Sequence, residues 1–197
     1  IKGKIEHFVS RKAMNIDSIG KKQIEKLYNE GLLTQISDLY SLRKNDLINL
    51  RGFEETSVEK LLFAIQSSKK VKFEKVLFAL GIRFVGETVA KIIVKQFKSI
   101  DRLLKASFED LKMADEIGEK IAYSIKEYFA DEKNIFLINS LKSNGLQFEL
   151  EEQLFSSQIL EGKSIVVSGV FFQKSRSEIK NILEQNGGKN SSSISTK

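Results

Sequence analysis

The chain has 197 residues, with 32 Lys or Arg against 26 Asp or Glu and a formal net charge of +6. It has no Cys and one His, so disulfides, thiolate nucleophiles and Cys- or His-rich metal clusters are excluded. No apolar run approaches the roughly 18 residues of a membrane span. The start, Ile1-Lys2-Gly3-Lys4, has neither an initiator Met nor an apolar signal segment, which indicates a piece of a longer chain. The length allows one large domain or two small ones, and the composition makes most metal-dependent or nucleophilic chemistry a poor candidate.

The positive charge is concentrated in the first half of the chain. Residues 1–98 hold 19 Lys or Arg against 11 Asp or Glu, residues 99–155 hold 7 against 12, and residues 156–197 hold 6 against 3. A basic first half favours a polyanionic partner, although many ordinary soluble domains carry as much charge.

Four short segments share one pattern: an apolar residue, two variable residues, a second apolar residue and then a turn position. The segments lie near 16–20, 50–54, 82–86 and 114–118, so the turn positions are 34, 32 and 32 residues apart. Apolar residues follow each turn position at spacings of four and seven, which place them on one face of a helix. These residues are Ile24 and Leu27, Val58 and Leu61, Ala90 and Ile93, and Ala122 and Ile125. The pattern predicts a helix, a tight turn and a second helix, four times over.

The segments between the turns pair up at an offset of 64 residues, which predicts two duplicated pairs of units. Ser37 and Asp101 are predicted N-caps of short helices, and Ser107 with Asp110 is predicted to form a capping box. Residues 1–148 are therefore predicted to be a mainly α domain of tandem repeats.

Beyond residue 148 the composition changes. Residues 149–158 are polar and predict a linker. The β-branched run Ser164–Ser168 predicts a strand, Ser175–Asn186 predicts a helix that ends at Gly187-Gly188, and Lys189–Ser195 predicts the start of a second strand. Residues 159–197 are therefore predicted to be a truncated α/β segment, too short to bury a full core.

The repeated turn suggests phosphate binding. A turn before a helix leaves backbone N–H groups unpaired at the positive end of the helix dipole. We expect Gly20, Gly86 and Gly118 to take positive φ and to allow close approach of an anion. Such contacts carry no sequence information, so they predict non-specific duplex binding. The candidate DNA-binding residues are Ser18, Gly20, Lys21, Lys22, Gly52, Thr56, Arg83, Phe84, Gly86, Thr88, Lys91, Gly118 and Lys120.

Two of the turns are weaker candidates for this role. Glu54 and Glu55 occupy the second turn, where Gly52 is the one glycine, and acidic residues surround Gly118 in the fourth. We therefore expect the first and third turns to dominate, with the second and fourth weak or mainly structural.

The turns resemble helix-hairpin-helix motifs, whose pattern is hydrophobic-x-Gly-hydrophobic-Gly. The stretch Leu80–Lys91 (LGIRFVGETVAK) resembles the third hairpin of bacterial NAD-dependent DNA ligases, and Ile5–Ile16 resembles the segment after the zinc finger of that family. Leu160–Gly169 and Asn186–Lys189 resemble the first half of its BRCT domain. The resemblance covers essentially the whole chain in the family's order.

The resemblance implies the C-terminal part of a cytoplasmic, nucleoid-associated bacterial ligase that seals nicks in replication and repair. It implies binding of nicked double-stranded DNA on the minor-groove side, beside the ligase's own adenylation and OB domains, and no membrane partner. The family's adenylated lysine lies in Lys-x-Asp-Gly; the nearest string, Lys44-Asn45-Asp46-Leu47, lacks the Gly. The fragment is thus expected to have no catalytic residue and to bind no cofactor or metal. NAD, Mg and, in the upstream finger, Zn are expected for the parent ligase.

Several individual residues leave alternatives open. Glu54 stands where the family pattern has a hairpin Gly, and Phe84 stands where the family often has His. Arg83 either contacts DNA or forms hydrogen bonds with neighbouring loop carbonyls. His7 is expected to be a surface or packing residue, and Lys69–Lys72 a solvated cluster or an extra phosphate contact. The Phe residues on apolar helical faces are predicted to be core: Phe63, Phe73, Phe78, Phe97, Phe108, Phe129 and Phe136.

Two other functions compete with the ligase interpretation. One is the DNA-binding module of another repair nuclease or a junction binder, against which the BRCT-like tail argues. The other is a non-enzymatic protein-interaction scaffold, which predicts no salt-dependent DNA binding.

Overall fold

A computed structural model describes residues 1–150, 159–169 and 171–191. The backbone divides into two compact units, Ile1–Leu150 and Glu151–Lys197. Glu149 forms an isolated antiparallel bridge with Ser99, and the Leu150 amide donates to the Lys98 carbonyl at 2.6 Å. The first two residues of the predicted linker therefore belong to the helical unit, and residues 151–158 lie outside the described ranges.

The first unit is helical, as its periodicity predicts. Its elements are α1 (Lys2–Val9), α2 (Lys21–Asn29), the 3₁₀ helix η1 (Ile36–Ser41), α3 (Lys44–Leu47), α4 (Glu55–Ser68), α5 (Phe73–Ala79), α6 (Glu87–Phe97), α7 (Ile100–Lys105), α8 (Phe108–Lys112), α9 (Glu119–Ala130) and α10 (Glu132–Ser143). Four pairs pack as hairpins: α1 with α2, α3 with α4, α5 with α6, and α8 with α9. We number them hairpins 1 to 4. Because η1, α3 and α4 each begin 64 residues before α7, α8 and α9, the predicted duplication is confirmed.

The core lies on the helix faces that the spacing selects. The residues four and seven places after each turn position are all buried, from Ile24 and Leu27 in α2 to Ala122 and Ile125 in α9. The apolar residues of the turns are buried with them, apart from the half-buried Leu50. Full burial of a Leu or Ile side chain contributes roughly 1.5–3 kcal/mol, so each turn is anchored by the helix that follows it.

Two predicted helix starts are wrong. Ser37 and Asp101 are the second residues of η1 and α7, whose N-caps are Gln35 and Ser99. The chain is already helical at Ser37 because Asp38 accepts hydrogen bonds from the Gln35 amide at 3.0 Å and from the Thr34 amide. A carboxylate inside the first turn thus replaces the expected serine cap.

The predicted capping box at α8 is confirmed. The Ser107 hydroxyl oxygen accepts from the Asp110 amide at 3.0 Å, and the Ser107 amide donates to the Asp110 carboxylate at 2.9 Å. The box starts the helix that leads into the turn of hairpin 4.

Two predicted core aromatic residues are on the surface instead. Phe63 is 75% exposed and Phe136 is 62% exposed. In α4 the buried face holds Leu61 and Ile65, and Phe63 lies two residues from each, about 200° around the helix. Phe73 is buried as predicted, and Phe78, Phe97, Phe108 and Phe129 are half-buried against the core.

His7 is a packing residue, as expected. Its Nε2 lies 2.9 Å from the Phe78 carbonyl oxygen, and its ring packs edge-on against the Phe78 ring with centroids 4.9 Å apart. It therefore joins hairpin 1 to hairpin 3.

The second unit contains the predicted strand, helix and strand. They are β1 (Ser164–Val166), α11 (Arg176–Gln185) and β2 (Lys189–Ser191), and β1 pairs in parallel with β2. Ser175 caps α11 in a capping box with Glu178. Strand β1 ends two residues before the predicted Ser168, and positions 192–195 of the predicted second strand lie outside the described residues. None of the helices that the structure describes is long and apolar enough to cross a membrane.

Candidate nucleic-acid interface

The four turn positions are the N-caps of the second helix of each hairpin. Gly20, Glu54, Gly86 and Gly118 immediately precede α2, α4, α6 and α9. Their φ angles are −115°, −82°, −81° and −80°, with extended ψ. The expected positive φ at Gly20, Gly86 and Gly118 is therefore wrong. An N-cap residue has ordinary extended backbone, because its carbonyl already accepts the first helical hydrogen bond.

The left-handed residue of each turn lies two positions before the N-cap. It is Ser18 (φ 66°), Gly52 (φ 86°), Phe84 (φ 64°) or Glu116 (φ 61°). Three of the four are not glycine, and the left-handed region costs such residues roughly 1–2 kcal/mol. Sequence reasoning counted Ser18, Gly52 and Phe84 among the candidate residues but did not predict their left-handed backbone. The available signal was Gly52, which stands at the first glycine of the hydrophobic-x-Gly-hydrophobic-Gly pattern.

Each turn presents backbone amides without an acceptor. In each hairpin the carbonyl of the N-cap residue accepts from the amide four places on, as from Ile24 to Gly20 at 2.9 Å. The amides of the first two residues of α2, α4, α6 and α9 have no acceptor within the described ranges. These donors point out of the helix end, where the helix dipole adds partial positive charge, and they suit an anionic oxygen.

The N-cap glycines are not required by the protein's own packing. A Cβ at Gly86 or Gly118 would meet no atom within 4 Å, and a Cβ at Gly20 would meet only the Gln23 side-chain oxygen, at 3.4 Å. Since neither φ nor crowding demands glycine, its effect is to leave room in front of the free amides. In hairpin 2 the N-cap residue is Glu54, which carries a side chain at this position.

The first-turn charge differs among the hairpins. Helix α2 begins with Lys21 and Lys22 and has no acidic residue in its first turn, whereas α4, α6 and α9 begin with Glu55, Glu87 and Glu119. Hairpin 1 therefore presents the most positive helix end. Its Gly20 amide donates to the half-buried Gln23 side-chain oxygen at 3.1 Å, and this side chain has to move before an anion can reach that donor.

Each first-turn glutamate is paired with a lysine from an earlier part of the chain. Lys44 Nζ lies 2.7 Å from Glu55, Lys112 Nζ lies 2.9 Å from Glu119, and Lys12 Nζ lies 3.6 Å from Glu87. The lysine hydrogen bonds lower the pKa of Glu55 and of Glu119, so both carboxylates stay ionised. Each lysine offsets a negative charge that would otherwise repel an anion from the helix end.

Hairpins 1 and 2 open on one cleft of about 790 Å³. The cleft brings together four of the candidates, Ser18, Gly20, Lys21 and Thr56. It is also lined by two cationic side chains that sequence reasoning missed, Arg11 and Lys60. Lys60 follows Thr56 by one helical turn, so its place on the same helix face could have been predicted from the spacing. The Lys26 ammonium donates to the Arg51 carbonyl and so joins α2 to the turn of hairpin 2.

Hairpin 3 holds five candidates around the start of α6. The Arg83 guanidinium carbon lies 4.9 Å from the centroid of the Phe84 ring, and Gly86, Thr88 and Lys91 follow on exposed positions. Arg83 forms no hydrogen bond with a loop carbonyl in the part of the chain that the structure describes, so the purely structural alternative for this residue is not supported.

In hairpin 4, Gly118 and Lys120 are exposed beside Asp115 and Glu116. All thirteen candidates are exposed, including Lys22 and Gly52, as contact with DNA requires. The described residues include no group of three or more His, Asp or Glu side chains that could hold a metal ion.

Three family models match the chain. A SAM-like helix-hairpin-helix tandem matches residues 10–67, a helix-hairpin-helix motif matches residues 75–138, and a BRCA1 C Terminus (BRCT) domain matches residues 155–197. Fold and sequence together define a tandem helix-hairpin-helix protein with a BRCT-like segment after the helical unit.

Proteins named DNA ligase match over the whole chain. The chain is 53% identical to the one from Phocaeicola vulgatus, 54% identical to that from Parabacteroides distasonis and 52% identical to that from Bacteroides fragilis. Each alignment covers 100% of this chain and 30% of the relative's length. Over its whole length the chain is therefore similar to a segment of these bacterial DNA ligases that makes up 30% of their length.

Proposed function

We propose that the helical unit binds nicked duplex DNA without sequence preference, by donating hairpin amides to backbone phosphates. The observation that carries this proposal is the set of four helix ends whose first two amides have no acceptor in the described residues. Open space at Gly86 and Gly118 and the shared cleft of hairpins 1 and 2 support it. Phosphates are the anions that a duplex offers at every step, and contacts to them position a protein without reading sequence.

Two hairpins contribute most of the affinity. Hairpin 1 has Lys21 and Lys22 at its helix start, and hairpin 3 adds Arg83 and Lys91 around an open Gly86. Hairpins 2 and 4 bind weakly, because their turns carry Glu54 and Glu116 beside the free amides. The thirteen candidate residues form the proposed interface.

In the whole protein this segment serves as the DNA clamp of an NAD-dependent ligase. Similarity to DNA ligases along the entire chain supports this role over a repair nuclease, a junction binder or a scaffold. The parent enzyme uses NAD, Mg and Zn bound by residues outside this segment, and its adenylation and OB domains close around the nick in the bacterial cytoplasm. Residues 1–148 act as the DNA-binding domain and residues 159–197 as the first part of the BRCT domain.

The test is fluorescence anisotropy of nicked, intact and single-stranded DNA with the 197-residue chain across a salt series. Duplex binding should weaken with a log–log slope of roughly −3 to −6, as expected when about four to six phosphates are neutralised. Gly86→Val should weaken binding about tenfold to a hundredfold, because it blocks hydrogen bonds to a charged oxygen.

Gly118→Val is the matched variant, since it makes the same N-cap change in an acidic turn with equally open space. It should weaken binding less than Gly86→Val, and both proteins should unfold at similar temperatures. Absence of duplex binding at low salt, or wild-type affinity for Gly86→Val, would overturn the proposal; the first result would favour the scaffold.

A further inference from the structure

A groove of about 530 Å³ lies between the C-terminal end of α6 and the helices α7 and α8. Phe97 is half-buried and Ala106 is buried, so these two residues form the floor of the groove. Arg102, Lys105 and Met113 are exposed and form its rim, and Met113 is 80% exposed. The groove therefore combines an apolar floor with a cationic rim. None of these five residues belongs to the proposed DNA interface.

The two rim cations have no acidic partner within the described ranges. Neither the Arg102 guanidinium nor the Lys105 ammonium forms an ion pair or a hydrogen bond there. Asp101, which precedes Arg102, is paired with a lysine of α10 at 2.9 Å. Asp110, which also lines the groove, accepts hydrogen bonds from the amide and the hydroxyl of Ser107. Since both carboxylates are engaged elsewhere, Arg102 and Lys105 present their charge to an incoming partner.

The internal duplication shows that the fold does not require this rim. The three rim residues have counterparts 64 positions earlier, which are Asp38, Ser41 and Asn49. These counterparts are acidic or polar, and Asn49 is exposed as Met113 is. A corresponding set of helices thus folds without the two cations and without an exposed methionine. Met and Arg are enriched where proteins bind one another, and the flexible Met side chain adapts to an irregular partner surface.

We propose that this groove binds an acidic segment of a separate protein, which seats a large apolar side chain on Phe97 and Ala106. Carboxylates of the segment pair with Arg102 and Lys105, and Met113 packs over the apolar side chain. Charge complementarity selects an acidic partner, and the apolar floor favours a protein segment over a nucleic acid, whose backbone phosphates gain nothing from it.

The groove is separate from the anion-binding end of hairpin 3. Helix α6 has 11 residues, so its C-terminal end is about 16 Å from Gly86 at its start. That distance is about twice the Debye length at physiological salt. An acidic segment in the groove therefore does not compete with a phosphate at Gly86, and both sites can be filled together.

The test is an NMR titration of the ¹⁵N-labelled 197-residue chain with a short synthetic peptide in which Glu residues flank a Phe-Leu pair. The amide signals of the groove residues should shift, with a Kd of about 1 mM or tighter. Replacement of Glu by Gln in the peptide should weaken binding about tenfold at low salt and abolish its salt dependence. Replacement of Phe-Leu by Ala-Ala should weaken binding about tenfold or more at every salt concentration.

Variants of the rim assign the two contributions to residues. Lys105→Ser and Met113→Asn introduce the residues of the counterpart positions. Lys105→Ser should weaken peptide binding about twofold to fivefold at low salt, as expected for one exposed ion pair. Met113→Asn should weaken it about threefold to tenfold at every salt concentration, because an apolar contact is lost. Lys133→Gln is the matched control for charge, since Lys133 is an exposed cation of α10 outside the groove, and it should bind the peptide as the wild type does.

The variants should otherwise behave as the wild type. Lys105→Ser and Met113→Asn should unfold at the wild-type temperature, because both side chains are exposed, and should bind nicked duplex with wild-type affinity. Loss of duplex affinity in these two variants would mean that the groove contacts DNA and would overturn the proposal.

Three results of the titration would also overturn it. The first is that the groove signals do not shift at about 5 mM peptide, and the second is that both rim variants bind the peptide as the wild type does. The third is displacement of the peptide by a single-stranded oligonucleotide at equal concentration, which would make the groove a nucleic-acid site. Because duplex binding is measured separately, failure of the groove leaves the proposed function in place, and failure of duplex binding leaves the groove.

Discussion

Replacement of Glu54 by glycine should increase DNA affinity. The Glu54 backbone is an ordinary extended N-cap with φ −82°, so glycine fits without rearrangement. Its carboxylate forms no ion pair or hydrogen bond in the described part of the chain, so its removal breaks no contact there. The change removes a negative charge and opens space in front of the free amides of Glu55 and Thr56.

The size of the gain follows from Coulomb's law. A carboxylate about 7 Å from a bound phosphate repels it by about 0.6 kcal/mol in bulk water and by about 2.4 kcal/mol at an effective dielectric constant of 20. Glu54→Gly should therefore bind nicked duplex about threefold to sixtyfold more tightly at low salt. The gain should shrink towards physiological salt, where the Debye length is about 8 Å.

Anisotropy titrations of three variants resolve the cause. Glu54→Gln removes the charge but keeps the side chain, so a larger gain for Glu54→Gly measures the effect of open space. Glu132→Gln is the matched control for net charge, because Glu132 begins α10, which is not the second helix of a hairpin. Wild-type affinity for both Glu54 variants would refute the claim that hairpin 2 faces a phosphate.

Two further predictions concern stability. Leu61→Ala should lower the free energy of unfolding by about 2–5 kcal/mol, since Leu61 is fully buried. Urea denaturation measures this free energy. As the control, Phe63→Ala on the exposed face of the same helix should change the free energy of unfolding by less than about 0.5 kcal/mol. Burial raises the pKa of Tyr40 to about 12, despite its 3.0 Å hydrogen bond with Ser68. The folded state therefore favours the neutral phenol, whose stabilising contribution is complete below about pH 10 and is lost as the pH rises to about 12. Denaturation at a series of alkaline pH values should show a steeper loss for the wild type than for Tyr40→Phe, and equal losses would contradict the assignment.

Local spacing was sufficient to predict the hairpins and most of their core. Leu61 and its counterparts are buried because spacings of four and seven return to one face of any α-helix, whatever lies opposite. The exposed Phe63 shows the limit of this reasoning, because an apolar residue off that face was counted as core. The N-caps of η1 and α7 were each placed two residues too late. The Asp38 carboxylate accepts from the Gln35 amide, and the Ser99 hydroxyl oxygen accepts from the Arg102 amide, so both helices begin earlier than predicted.

The sequence by itself determined the repeat, the duplication, the positions of the turns and the similarity of the chain to bacterial DNA ligases. Tertiary structure decided which residue of each turn is left-handed, because burial of the flanking apolar residues sets the backbone between them. It also decided that Lys12 lies beside Glu87, 75 positions along the chain, and that Thr56 and Lys60 share a cleft with Gly20. Helix periodicity acts over a few residues and can be read from their order. Pairing of charges and alignment of two helix ends depend on how separate hairpins pack, and that packing is set by the whole core at once.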